Sequence, residues 1–189
     1  MDARPAPVAG FTLVELMVVV AIAAILMALA LPSFTSMINS NRLAAQANEV
    51  VASLQVARME AVRQNRRAVV CGINTTYVTD ITDGTSCAAG AWTGWLTALD
   101  TNGNNIFEAN EVIQTNLVKA PIRVTSDASG VVFRPDGMAR NAAGALMQNT
   151  ITVCLPTSQP AENQRRVHVG IGGSRISTEK FNGAGACPQ

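Results

Sequence analysis

The sequence predicts an α+β protein: one long N-terminal helix laid on an antiparallel β-sheet. Three observations carry this. Phe11 to Leu31 is an almost wholly apolar run holding one charge, Glu15. The next stretch repeats apolar side chains at steps of three and four. Past Arg67 the chain turns to short β-prone runs punctuated by Gly, Asn, Asp and Pro. Of 189 residues in all, those beyond the apolar run suffice for one compact domain. A formal net charge of +1 argues against a chain built to bind polyanions strongly.

The first element is the run over 11–31. As a helix it covers about 30 Å, the thickness of a bilayer's hydrocarbon core. A secretory signal has a shorter apolar core and a small-residue cleavage site after it. Here sites such as Ala28-Leu29-Ala30 fall inside the run. A plain membrane anchor explains the length but not Glu15, because a carboxylate at mid-bilayer costs roughly 2.5–3.5 kcal/mol on insertion scales. Nor does it explain the string Gly10-Phe11-Thr12-Leu13-Val14-Glu15 that opens the run.

The second element is an amphipathic helix over 32–67. Pro32 removes one backbone donor and should kink rather than end the helix, since apolar pattern resumes on both sides. Leu43, Ala47, Val50, Leu54, Ala57 and Ala61 mark one narrow stripe, read as a face laid on a sheet. The third element, 68–189, offers strands at Ala68–Cys71, Thr75–Thr79, Trp92–Leu99, Glu111–Asn116, Ile122–Thr125, Val131–Arg134, Thr150–Leu155, Arg166–Ile171 and Ser174–Thr178. Consecutive short strands with small loops imply an antiparallel meander.

Four cysteines, Cys71, Cys87, Cys154 and Cys187, all lie beyond the apolar run, as an oxidising compartment allows. Three connectivities exist. Cys71–Cys87 with Cys154–Cys187 is favoured because each bridge closes a loop local to one end of the sheet. One loop invites a metal reading. Asp100, Asn102, Asn104, Glu108 and Glu111 fall at EF-hand-like positions, but Asn105 stands where that loop needs glycine, and the flanks read as strands. A plain hairpin loop is favoured over a calcium site, so no cofactor is expected. His168 is the single histidine and has no nucleophile in sequence context, so no enzyme is legible.

The string Gly10 to Glu15 resembles the processing site of type IV prepilins and type II secretion pseudopilins. The resemblance implies a pilin-like fold and a leader, residues 1–10, cut by a prepilin peptidase between Gly10 and Phe11. The new Phe11 terminus would be N-methylated, and Glu15 would offset the Phe11 ammonium of a neighbouring subunit during assembly. It further implies a subunit held in the bacterial inner membrane by a single span, with residues 68–189 in the periplasm. Proline is common at the position of Pro32, and a bridge closing a C-terminal loop, as Cys154–Cys187 would, is common too.

The whole chain resembles the FimT/FimU/GspH type of minor pilin. The signs are Val56-Ala-Arg58-Met-Glu60-Ala-Val-Arg63, the Trp92-Thr-Gly-Trp95 strand leading to Asp100-Thr-Asn-Gly103, and Val132-Phe-Arg-Pro-Asp-Gly137. Such subunits are taken to initiate or cap a pilus with other minor and major pilins, or to serve a type II secretion pseudopilus. Some bind DNA for uptake through a Gly-Arg-x-Arg stretch near the C-terminus. Here Gly172-Gly173-Ser174-Arg175 keeps one arginine in place. A DNA contact would therefore need Arg165, Arg166 and Lys180 to join Arg175 on one face.

Overall fold

The computed structural model describes residues 10–74, 87–104, 107–141 and 144–188, apart from the side chains at 29–32. The leader residues 1–9, the expected strand Thr75–Thr79 and Asn105 lie outside the described residues. One helix, α1 (Leu13–Gln64), spans 52 residues and passes through position 32 without a break. It starts where Thr12, in extended backbone (φ −77°, ψ 151°), accepts the Glu15 N–H on its hydroxyl at 3.2 Å. This is the N-cap geometry that satisfies one orphan donor.

The helix stops three residues short of the expected Arg67. Asn65 takes the left-handed conformation (φ 52°, ψ 41°). Its N–H bonds the Val62 carbonyl at 3.4 Å, and the Arg66 N–H reaches back to the Ala61 carbonyl at 3.1 Å. That paired closure is a Schellman end, and asparagine is the residue other than glycine that tolerates it.

Leu43, Ala47, Val50, Leu54, Ala57 and Ala61 are all fully buried. Burying one leucine side chain stabilises by about 1.5–3 kcal/mol, so the stripe fixes the domain to the helix.

The strands form two sheets rather than one meander. Strands β1 (Ala68–Ile73), β3 (Gly94–Leu99), β4 (Val112–Leu117), β6 (Gly130–Phe133) and β7 (Ala139–Arg140) make the first, in the order β4-β3-β1-β6-β7. Strands β2 (Gly90–Trp92), β5 (Arg123–Ser126), β8 (Asn149–Cys154), β9 (Gln164–Val169) and β10 (Ile176–Phe181) make the second, in the order β10-β9-β8-β5-β2. Every pairing is antiparallel.

The split happens at Thr93, inside what the sequence reads as one strand over Trp92–Leu99. The Thr93 N–H and hydroxyl both donate to the Ile73 carbonyl, at 2.8 and 3.0 Å. This turns the chain from one sheet into the other. Trp92 then lies over Gly72 of the first sheet, where a Cβ would collide with the indole ring, and its Nε1 donates to the Ala88 carbonyl at 2.6 Å.

One apolar core joins the α1 stripe to both sheets through Val70, Trp95, Phe133, Val124, Ile151 and Val167. The reverse face of the first sheet is buried as well, around Val69, Cys71, Leu96, Ala98 and Phe107. Glu111 belongs to a single 3-10 turn (Ala109–Glu111) rather than to the strand expected there. The last two strands are pushed apart, β9 lying two residues earlier than expected and β10 starting two residues later, because Gly172 and Gly173, at φ 66° and 68°, occupy a second such turn. Both local disulfides are formed, with Cα separations of 5.1 Å for Cys71–Cys87 and 5.7 Å for Cys154–Cys187.

Candidate functional site

Gly10 and Phe11 precede the first helical turn and are exposed, Phe11 at 84%. Both stand outside the helix, so the peptide bond between them is not locked into a helical turn. Glu15 sits in the first turn, and its carboxylate has no hydrogen-bond or ion-pair partner among the described residues. Around it Leu13, Val14, Leu16, Met17, Val20 and Ile25 are each exposed by half or more. Among the described side chains, large apolar ones stay exposed in this way as far as Ile38, along about 40 Å of helix. By length and composition it is the one described helix able to cross a membrane.

The domain takes hold of the helix at the next residues. The Asn39 side-chain amide donates to the Gln159 carbonyl at 2.9 Å, and Arg165 Nη2 donates to the Ser40 hydroxyl at 3.0 Å. Arg165 Nη1 also donates to the carbonyls of Glu162 and Gln164, at 2.8 and 3.0 Å. Desolvation by burial lowers the pKa of this guanidinium, against the raising effect of the Glu162 charge. It remains a cation, as arginine does in proteins.

This position rules out the single basic face that a DNA contact through Arg165, Arg166, Arg175 and Lys180 would need. Arg165 is 4% exposed and both its terminal nitrogens donate within the fold. Arg166, the next residue of an extended strand, must point to the opposite side of the sheet. There it stacks on the Phe181 ring, with Cζ 3.3 Å from the ring centroid. Lys180 is exposed but stands opposite Arg165 in the register, and Arg175 is exposed in the turn before β10. The four do not form one surface.

In the Asp100–Glu111 loop the carboxylates serve the loop itself. Glu111, 3% exposed, accepts the Thr101 N–H and hydroxyl at 2.7 and 2.8 Å, the Asn102 N–H at 3.3 Å and the Glu108 N–H at 3.2 Å. Burial alone would raise its pKa, but these hydrogen bonds outweigh it and hold the carboxyl below the ordinary glutamate range. Asp100 accepts the Gly103 N–H at 2.6 Å, and the Asn104 amide donates to Glu108 at 3.1 Å. Asn102 accepts the Asn104 N–H at 2.9 Å. The arrangement is an Asx-rich turn closed on a buried acid.

Three structural residues escaped the sequence reading. Asn163, fully buried, donates to the carbonyls of Leu155 and Ala186 at 3.0 and 3.1 Å and accepts the Gly183 N–H at 2.8 Å. It thereby ties the C-terminal segment to the second sheet beside Cys154–Cys187. Ser53 and Gln46, at the edge of the helix stripe, are 1% and 2% exposed. Ser53 accepts the Trp95 indole N–H at 2.9 Å, and Gln46 accepts the Lys119 N–H at 3.2 Å. Their seven-residue spacing puts them on one side of the helix and was the available signal.

In comparison with known proteins, a family model described as type II transport protein GspH matches residues 46–173, and one described as a prokaryotic N-terminal methylation motif matches residues 6–31. Among solved structures, the type IV minor pilin FimU of Pseudomonas aeruginosa strain PAO1 is similar in two crystal forms. In space group P21 the TM-score is 0.51 at 20% identity, over 74% of this chain and 90% of that one. In P65 the values are 0.48 and 18%, over 72% and 92%. At such identity the first likeness speaks for the fold alone. No curated protein sequence gives a significant match.

Proposed function

The chain belongs to the GspH family of type IV minor pilins and pseudopilins, and from that premise we propose that it is a minor pilin of the type IV pilus. In this reading it is a structural subunit that helps to initiate or cap the filament together with other minor and major pilins. One observation carries the proposal: a continuous helix buries a single stripe in its second half and, among the described residues, leaves its first half bare, with a carboxylate near the tip that has no partner there. A bare apolar rod needs lipid before assembly and other apolar helices after it.

Prepilin peptidase cuts after Gly10, and methylation follows at Phe11. The cut leaves an ammonium in an apolar setting, where an unpaired charge is very costly and a paired one is tolerable. Glu15 of one subunit supplies the pair for its neighbour and so sets axial register. The subunit waits in the inner membrane with its disulfide-bonded domain in the periplasm, an oxidising compartment that suits both bridges.

Mass spectrometry of protein extracted from cells should find a start at methylated Phe11. Glu15→Ala should be processed normally yet fall at least tenfold in sheared filaments. An intact Met1 terminus, or normal incorporation of that variant, defeats the proposal. A second reading, a minor subunit of a type II secretion pseudopilus, is favoured by the description of the matched family model itself. In-cell cross-linking separates the two: pilus subunits support the first, secretion pseudopilins the second. DNA binding receives no support from the dispersed arginines.

A further inference from the structure

The step from packed to bare helix occurs within a few residues. Among the described side chains Leu43 is the first fully buried residue of α1, and just before it the domain grips the helix at Asn39 and Ser40. Both grips come from the turn over 156–162 and from Arg165 behind it. This turn is stiffened from within: the Gln159 N–H donates to the Thr157 hydroxyl, which returns a bond to the Gln159 carbonyl, each at 3.2 Å. Its base is closed by the Leu155 N–H on the Asn163 carbonyl at 3.0 Å and by the Asn163 side chain on the Leu155 carbonyl. Arg165 is a buried cation whose hydrogen bonds go only to neutral acceptors, which is an expensive group to keep for packing alone.

We infer that the 156–162 turn and Arg165 form a collar that fixes the direction in which the apolar half of α1 leaves the domain. The leverage is large. From Asn39 to Leu13 the rod is about 39 Å long, so a swing of about 10° at the collar moves its tip by about 7 Å. That exceeds the reach of a hydrogen-bonded charge pair. The collar therefore matters to the pairing of Glu15 proposed above, and to that extent rests on it, but its own test needs no filament.

The test uses the full chain in detergent micelles, with nitroxides at Val20→Cys on the rod and Thr178→Cys on β10. With the collar intact, the distance distribution between the labels is narrow. Asn39→Ala with Ser40→Ala removes both grips while raising local helix propensity, so broadening in that variant cannot come from a melted helix. The width should at least double while the melting temperature of the domain changes by no more than a few degrees. Arg165→Met should broaden it further where it folds. An unchanged width in the double alanine variant overturns the collar, and leaves the Glu15 experiment untouched.

Discussion

The two halves of α1 are one helix under two opposite rules. From Leu43 to Ala61 a stripe of six apolar side chains is buried to completion, with Gln46 and Ser53 buried at its edge, while the opposite face meets water. From Leu13 to Ile38 the large apolar side chains among the described residues are exposed. The backbone does not distinguish them, since both satisfy their hydrogen bonds internally. The difference lies in where each half finds its solvent. One brings a folded domain with it, and the other depends on surroundings the chain does not supply.

The largest effect that would break this contrast comes from the same substitution made on each side. Leu54→Ala should cost about 2–5 kcal/mol by loss of transfer energy and an unfilled cavity. Leu26→Ala, at a residue 62% exposed, should leave domain stability within about 0.5 kcal/mol. Denaturant titration followed by Trp92 and Trp95 fluorescence reads both, because both indoles are buried in the domain. Equal costs would mean that the rod packs on the domain.

Asn163→Ala should come next, at about 1–3 kcal/mol, because it leaves the Gly183 N–H without its acceptor and takes one of the donors from each of the Leu155 and Ala186 carbonyls. The same measurement reads it, and faster proteolysis of the C-terminal segment should accompany it.

The rod and the domain also present two contrasting carboxylates, Glu15 on the rod without a partner among the described residues and Glu111 in the domain with four donors. Because folding lowers the Glu111 pKa, its contribution is fully present above the ordinary value of 4.5 and is lost as pH falls through the folded value. Glu111→Gln should therefore lower stability at neutral pH and flatten the acid limb of the stability curve. Glu111→Gln with an unchanged acid limb would mean that another group controls it. Smallest of all, millimolar calcium should leave the melting curve where it is, since the Glu111 oxygens are occupied by the loop's own donors. A rise of several degrees would revive the metal reading.

Much of this fold was legible in the sequence because it rests on periodicity. The helix, its buried stripe and the bare run depend on spacing that can be counted along the chain. The division into two sheets was not, because the break at Thr93 is made by a carbonyl at Ile73 and by space over Gly72, both remote in sequence. Arg165 misled for another reason: a charged residue is counted as surface until a fold shows its donors engaged. Strand alternation alone could still have told that Arg165 and Arg166 cannot share a face. At the head of the helix, Gly10, Phe11 and Glu15 were readable as a motif, while the absence of any side-chain partner for Glu15 among the described residues needed the structure.

The C-terminal fastening has a practical consequence. Cys187 is bonded to Cys154, and a Cβ on Gly185 would meet the Thr157 backbone at 3.5 Å. Pro188 then lines a groove with Trp92, Ile122 and Val124, so a fluorescent protein or an epitope continued past Cys187 would press on the β2–β5 edge of the second sheet.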